Sequence, residues 1–186
     1  QLRNAVRATQ RMLADNHIPC NIVREDTLLE RLAQYRLVIL PEMNALAPET
    51  ARALAAWMAQ GGTVLCVATV LHEQCRDWLA ILTGDSPGDD VLREPCEAGN
   101  RTVGGVEPEK FPVFLGRRIF PLAGKWGNVI SYDADNSPWL GERMRGRGRI
   151  LVITSEICSD FHDLRYPPLR RLFGQAVRHG LQGDLQ

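Results

Sequence analysis

Residues 35–67 read "YRLVILPEMNALAPETARALAAWMAQGGTVLCV". Two continuous apolar runs enclose a segment whose apolar residues recur at helical spacing. Pro48 and Glu49 suit the first turn of that helix, because this turn has no use for a proline N–H and its positive end favours glutamate. The glycines at 61–62 end the helix. Continuous apolar runs on both sides are typical of parallel strands that are covered on both faces.

The same alternation continues outward from this unit. Helical spacing covers roughly the first fifteen residues, and "CNIVRE" at 20–25 predicts a short strand before the next helix. Towards the other end, a buried strand at 150–154 precedes a terminal helix. Strands that alternate with helices predict an open α/β fold built from right-handed crossovers. Residues 85–135 differ, because Gly, Pro and short β-rich pieces predict a β-rich excursion within a single domain of residues 1–186.

Composition excludes several classes of function. The 22 basic and 22 acidic residues balance, so no overall field attracts nucleic acid or an anionic membrane surface. No apolar run approaches the length of about 20 residues that a membrane span needs, and the amphipathic start "QLRNAVRATQ" is not a signal peptide. Five cysteines with no C-x-x-C pair indicate reduced thiols and a cytoplasmic location.

Four stretches carry a resemblance to a known family. They are "LxxYxLVILP" at 32–41, "LAPE" leading to "GGTVL" at 61–65, "ILTG" at 81–84, and "SPWL…GRGRILVI" at 137–153 before the terminal helix. Together they resemble the class I glutamine amidotransferase-like, flavodoxin-type domain that follows the catalytic barrel of family 42 β-galactosidases. That domain is called the trimerisation domain, and related copies occur in other large bacterial glycoside hydrolases.

The resemblance implies a fold and a departure from it. The implied fold is a doubly wound, mostly parallel sheet with a β-rich insertion. Such domains begin with a strand before the first helix, whereas this chain starts inside or at the start of that helix, and its first residue is not Met. We therefore expect that the first strand lies outside the chain and that the chain is part of a longer protein.

Cys66 is the first candidate for chemistry. Active amidotransferases place their cysteine on a G-x-C-x-G elbow after a strand, whereas Cys66 lies between Leu65 and Val67. The elbow would fall near residues 68–70, which contain no thiol. The sequence therefore predicts that Cys66 is a buried strand residue, with Thr69 as a remote alternative nucleophile.

A polar stretch at 155–163, "SEICSDFHD", follows the last strand, at the edge of the sheet where ligands bind in such folds. It holds Glu156, His162 and Asp163 but no His-x-Glu pair, and a polar loop is the favoured interpretation. The alternative is a stand-alone hydrolase or amidotransferase-like enzyme that uses this loop. Without a nucleophile, however, these groups cannot form an acyl-enzyme.

Two His/Cys pairs raise the possibility of a metal. His72-x-x-Cys75 and Cys158-x-x-x-His162 each follow a strand, and four such ligands can bind zinc. Chance pairs are frequent in a chain with five Cys and four His, so we expect no metal and no cofactor, with zinc as the weaker alternative.

Two further groups of residues suggest surfaces that contact a partner protein or a sugar. Arg143, Arg145, Arg147 and Arg149 alternate with other residues, two of them glycines, which favours a solvated hairpin turn that can also contact a neighbouring subunit or the barrel. Trp126 and Trp139 are expected in loops, where an exposed tryptophan can mark an interface or stack on sugar.

These observations favour a non-catalytic accessory or oligomerisation domain of a bacterial carbohydrate-active enzyme. A glycosidase needs two carboxylates on opposite sides of the scissile bond, and no motif places such a pair here. The expected partners are other copies of the chain and an upstream catalytic barrel. A sugar or small-molecule binding module is a further alternative; ligand contacts are then expected from Thr69, His72, Trp126, Trp139, Glu156 and His162.

Overall fold

In the computed structural model, the described residues are 2–67, 73–85, 91–92, 96–100, 110–113, 118–119, 122, 126–132 and 138–182. The helices are α1 Leu2–Asp15, α2 Glu25–Arg31, α3 Pro48–Ala59, α4 Glu73–Thr83, α5 Ile157–Leu164 and α6 Pro167–Leu181, and a 3-10 turn covers Leu32–Gln34. The strands are β1 Leu37–Pro41, β2 Thr63–Val67, β3 Val91–Leu92, β4 Cys96–Asn100, β5 Lys110–Val113, β6 Arg118–Ile119, β7 Gly127–Tyr132, β8 Pro138–Arg145 and β9 Gly148–Ile153.

Seven strands form one sheet in the order β1-β2-β9-β8-β7-β4-β5, and β3 pairs with β6 separately. The prediction of an α/β fold is confirmed. Among the described strands, only β1, β2 and β9 run parallel, and the other pairings are antiparallel. The expectation of a mostly parallel sheet was therefore wrong. For β8 and β9 the reason is the two-residue turn at 146–147, because so short a connection can join only antiparallel strands.

Two hydrophobic clusters cover the central strands. Successive side chains of a strand point to opposite faces, so Leu65 and Leu151 enter one cluster while Cys66 and Val152 enter the other. The first, which we call the α1-side cluster, includes residues of α1, α5 and α6; the second, the α3-side cluster, includes residues of α2, α3 and α4. All five residues of β2 are buried, as the continuous apolar run predicts.

The predicted strand at 20–25 is absent, and α2 begins at Glu25. Ile18 packs on the α1-side cluster and Val23 on the α3-side cluster, so the segment between them passes from one face of the sheet to the other. Among the described residues, 19–23 make no hydrogen bond to another backbone group. An apolar stretch forms a strand only where a neighbouring strand accepts and donates its hydrogen bonds, and none lies beside this one.

β1 is one of the two edge strands of the sheet, and no described strand pairs with its outer side. Thr63 N–H donates to Arg36 O, and Glu42 N–H donates to Val67 O, both at 3.1 Å. Because bonded residues alternate along a parallel strand, the even-numbered residues 36–42 face β2 and the odd-numbered ones face outward. The outward backbone groups of Leu37 and Ile39 have no backbone partner within the described chain.

The turn between β8 and β9 is packed against the end of α3. Gly146 has a φ of +66°, and a Cβ at Gly148 would lie 2.0 Å from Gly62 O and 2.4 Å from Met58 O. The N–H groups of Arg147 and Arg149 donate at 3.2 Å to Ala59 O and Gly62 O. Glycine is required here because only a residue without a side chain lets the hairpin approach the helix end so closely.

The predicted hairpin turn is present, with residues 146–147 exposed at its tip, but three arginines of the run have side-chain partners. Arg143 forms an ion pair with Asp85, and its guanidinium lies 6.0 Å from the centre of the Trp126 ring. Arg149 donates to Glu142 Oε1 and to His179 O, both at 2.6 Å. These contacts connect the hairpin to α4 and to the C-terminal end of α6.

Glu142 is the acidic centre of the second contact. His179 Nε2 lies 3.0 Å from its Oε2, and this hydrogen bond is the largest of the effects that lower the pKa of Glu142 to about 2. The hydrogen bond from Arg149 lowers the pKa further, while burial opposes both. The ionised carboxylate therefore stabilises the fold by holding β8 to α6.

None of the helices in the described part of the chain has the length and apolarity needed to cross a membrane.

The close approach at Gly148 predicts a steep cost for any side chain. Gly148→Ala is expected to lower the free energy of unfolding by about 2–3 kcal/mol, because the two nearest atoms are backbone oxygens that cannot turn away. Gly127→Ala in β7 is the matched control, since its nearest neighbour would be 3.4 Å away. Urea unfolding compares the two variants, and equal stabilities would contradict the packing described here.

The lowered pKa of Glu142 predicts an acid dependence of stability. The contribution of this carboxylate is complete above its usual value of 4.5 and is lost as the pH falls through about 2. Glu142→Gln is expected to cost about 2 kcal/mol at pH 7 and progressively less between pH 4.5 and 2. Thermal unfolding of both proteins across this range measures the difference, and a difference that is independent of pH would contradict the ion pair.

Candidate functional site

The carboxyl ends of β1, β2 and β9 meet at one edge of the sheet, where open α/β sheets bind their ligands. Glu42 follows β1, residues 68–72 follow β2, and Thr154 to Glu156 follow β9. Residues 68–72 lie outside the described residues, so the site is described from the other two strands.

Glu42 is the buried charge at this edge. It is 1% exposed, and its φ of +47° is a left-handed conformation that few residues other than glycine adopt. Its Oε1 accepts the backbone N–H of Ser159 at 2.8 Å, and its Oε2 accepts the Ser159 hydroxyl at 2.5 Å. Ser159 is the third residue of α5, whose first N–H groups have no partner inside the helix. Glu42 therefore caps α5 from a distant part of the chain.

Two more carboxylates are buried beside this cap, Glu156 at 6% and Asp160 at 7% exposure. Burial raises the pKa of Glu42 above its usual value, and the charge of Glu156 raises it further, while the bonds from Ser159 act in the opposite direction. With both oxygens directed at Ser159 and almost no solvent access, Glu42 positions α5 and does not face an open cleft.

The stretch at 155–163 is not the polar loop that was predicted. Residues 157–164 form α5, because Glu42 supplies the cap that the local sequence lacks; the N-cap residue Glu156 makes no side-chain cap bond. Glu156 and His162 are separated by six residues, roughly 9 Å along a helix axis and on different sides of it. The helix thus keeps Glu156 apart from His162, two of the three groups named for the hydrolase alternative, while Asp163 directly follows His162.

Cys66 is buried, as predicted. It lies in β2 at 1% exposure, and burial raises the pKa of its thiol to about 12. A nucleophilic cysteine requires the opposite, an accessible site that favours the thiolate. The thiol is therefore a packing group of the α3-side cluster.

The residues proposed for zinc are divided between two environments. Cys75 packs in the α3-side cluster and donates to Asn44 O at 3.0 Å, whereas Cys158 packs in the α1-side cluster with its Sγ 3.3 Å from Thr9 Oγ1. His72 and the other expected site residue Thr69 lie outside the described residues. Within the described ranges, no three His, Cys, Asp or Glu residues are grouped so that they can hold a metal ion.

The two tryptophans differ from each other. Trp139 was expected in a loop, but it lies in β8 with its side chain fully buried in the α1-side cluster. The error arose because "SPWLG" contains turn-forming residues on both sides of what is the start of a strand. Trp126 is half-buried, packs on the α3-side cluster and stacks with Arg143.

Sequence reasoning missed Glu42 and Ser159. The available signal was a charged residue directly after a buried strand, in "LVILPEM", since that position lies at the ligand-binding edge. Nothing local indicates that its partner is 117 residues away.

Solved structures of low sequence identity share this fold. An exo-β-1,4-mannosidase from Opitutaceae bacterium strain TAV5 matches 97% of the chain with a TM-score of 0.72 and 16% identity, and the match covers 31% of the mannosidase. A β-galactosidase from Bacillus circulans sp. alkalophilus matches 97% with a TM-score of 0.71 and 19% identity, over 27% of its own length. A cytoplasmic protein from Salmonella typhimurium LT2 matches 95% with a TM-score of 0.70 and 14% identity, over 87% of its length.

The chain therefore spans less than a third of the two glycoside hydrolases that it resembles. At sequence identities this low, the structural similarity shows a shared fold and does not show a shared activity. No protein-family model and no curated protein sequence matches the chain.

The cap on α5 predicts a contrast between two substitutions of Glu42. Glu42→Ala leaves the partly buried Ser159 N–H without its acceptor and is expected to cost about 2 kcal/mol of unfolding free energy. Glu42→Gln keeps one acceptor oxygen, avoids burying a charge and is expected to stay within about 1 kcal/mol of the wild type.

The pKa of Glu42 adds a pH test to this contrast. A raised native pKa means that wild-type stability falls as the pH rises above 4.5, because ionisation then occurs in a buried site. Glu42→Gln lacks this cost, so its stability relative to the wild type is expected to improve over the same interval. Denaturation at pH 4 and pH 7 measures both effects; equal losses for Ala and Gln would contradict the cap.

Proposed function

We propose that the chain is a non-catalytic, amidotransferase-like accessory domain of a bacterial carbohydrate-active enzyme, in which it joins subunits and contacts a catalytic barrel. The observation that carries this proposal is the closed environment of Cys66. The thiol that an amidotransferase would use is a side chain inside the sheet, and burial raises its pKa to about 12. The expected elbow at 68–70 contains no cysteine.

The structural neighbours support the carbohydrate part of the proposal. Two glycoside hydrolases contain this fold as a domain-sized portion of much longer chains. Function depends on the chemical groups of a site and not on the fold. A domain that lacks a nucleophile therefore contributes to a larger enzyme by packing against its catalytic domain or against other subunits. All four cysteines whose side chains are described are free, which supports a cytoplasmic location.

The free edge of β1 supports a connection to chain beyond these 186 residues. The strand "LVILP" carries none of the charged side chains by which natural edge strands commonly prevent further pairing, and its one protective residue is the terminal Pro41. We propose that a further strand pairs in parallel with the outer edge of β1, beside residues 19–23, which cross from one face of the sheet to the other. The first strand of amidotransferase-like domains would occupy this position.

Hydrogen exchange tests the missing strand. In the 186-residue chain, the amides of Leu37 and Ile39 are expected to exchange rapidly, because they face outward, whereas those of Val38 and Leu40 are protected by β2. In a protein extended by its upstream coding sequence, Leu37 and Ile39 are expected to gain protection of at least about tenfold. Rapid exchange in both proteins would contradict the proposed strand.

Assembly and activity test the accessory role. Sedimentation of the purified chain is expected to show concentration-dependent oligomers, and assays with aryl glycosides and with glutamine are expected to show no turnover. Cys66→Ser is the control variant for the glutamine assay and is expected to leave this result unchanged. Turnover that disappears in Cys66→Ser would support the enzyme alternative, and a chain that remains monomeric with and without its upstream sequence would contradict the oligomerisation role.

A further inference from the structure

A small pocket lies at the opposite, amino edge of the sheet. It contains about 60 Å³ of open space between the starts of β2 and β9, the turn at 146–147 and the C-terminal end of α6. Three guanidinium groups line it, those of Arg36, Arg147 and Arg149, and no carboxylate does. We call it the arginine pocket.

Each arginine also contacts the carboxyl end of a helix. Arg149 donates to His179 O at 2.6 Å and Arg36 to Leu181 O at 3.2 Å, both in α6, while Arg147 donates to Gln60 O at 3.1 Å, at the end of α3. A guanidinium has five N–H donors in a planar fork. Arg147 is exposed and uses one side-chain donor on the described residues, so most of its fork remains available to an acceptor in the pocket.

Thr63 adds a hydroxyl to the wall of the pocket. This hydroxyl makes no hydrogen bond to any described residue, and it is not among the fully buried atoms that lack a partner, so solvent reaches it. It is therefore available to an acceptor that enters the pocket.

The charge balance of the pocket favours one negative charge. Three arginines contribute three positive charges, Glu142 neutralises one through Arg149, and the ends of α3 and α6 together contribute the equivalent of about one negative charge. About one positive charge remains. A planar arginine fork matches the two oxygens of a carboxylate, and the space is sufficient for one such group.

We infer that the arginine pocket binds a single carboxylate through Arg147 and the Thr63 hydroxyl, with Arg149 contributing positive charge while its terminal nitrogens stay bonded to Glu142 and α6. The carboxylate can belong to a free organic acid or to a side chain of a protein that packs on this edge. Met144, which is 61% exposed, borders the pocket and provides apolar contact for either source. The pocket lies at the edge of the sheet opposite to Glu42.

The experiment measures the melting temperature of the purified chain at constant ionic strength. Sodium acetate replaces sodium chloride stepwise, and a second titration uses the peptide acetyl-Gly-Glu-Gly-amide against acetyl-Gly-Gln-Gly-amide. A ligand at about five times its Kd is expected to raise the melting temperature by about 2–4 °C. Arg147→Gln and Thr63→Val are expected to weaken the effect at least about tenfold, and the exposed Arg52→Gln serves as the matched control.

The results distinguish the two sources of the carboxylate, a free organic acid and a protein side chain. Stabilisation by acetate supports the inference with a free acid, and stabilisation by the Glu peptide alone supports it with a protein carboxylate. The inference is overturned if neither carboxylate acts, if sulfate or phosphate acts as well as acetate, or if the effect survives in both Arg147→Gln and Thr63→Val. None of these outcomes depends on whether the chain assembles, so the proposed accessory role is tested separately.

Discussion

The complete burial of β2 is the constraint on which the rest of the structure depends. This five-residue strand lies between β1 and β9, and its side chains alternate between two hydrophobic clusters. Both faces must therefore be covered by helices, and the two flanking strands run parallel to it. The same burial removes Cys66 from solvent and leaves it as a core residue.

The carboxyl and amino edges of the sheet, where the parallel strands end and begin, carry different contacts. At the carboxyl edge, Glu42 adopts a left-handed conformation and caps α5, so the described part of this edge is closed by a contact within the protein. At the amino edge, glycines allow the hairpin turn to approach α3, and arginines cap the helix ends around a small pocket. In the described part of the chain, the more accessible chemistry thus lies at the amino edge, opposite the usual ligand-binding edge of such sheets.

Local patterns predicted the elements that depend on local rules. The unit at 35–67 and the terminal helix follow from apolar periodicity, proline positions and glycine ends, and the structure contains them. The predictions that failed have a different cause in common. The cap of α5, the burial of Trp139 and the partners of the arginine run depend on contacts between residues far apart in sequence. The apolar stretch at 20–25 failed for the complementary reason, because a strand needs a neighbour that is not among the described residues.

The central claim, that the thiol inside the sheet has no catalytic role, is tested most directly by the rates at which iodoacetamide alkylates individual cysteines in the native chain. Exposed Cys20 serves as the internal reference. The account predicts that Cys20 is modified readily and that Cys66 reacts only when the chain unfolds, at least about a thousandfold more slowly under native conditions. Modification of Cys66 at a rate equal to or faster than that of Cys20 would contradict it.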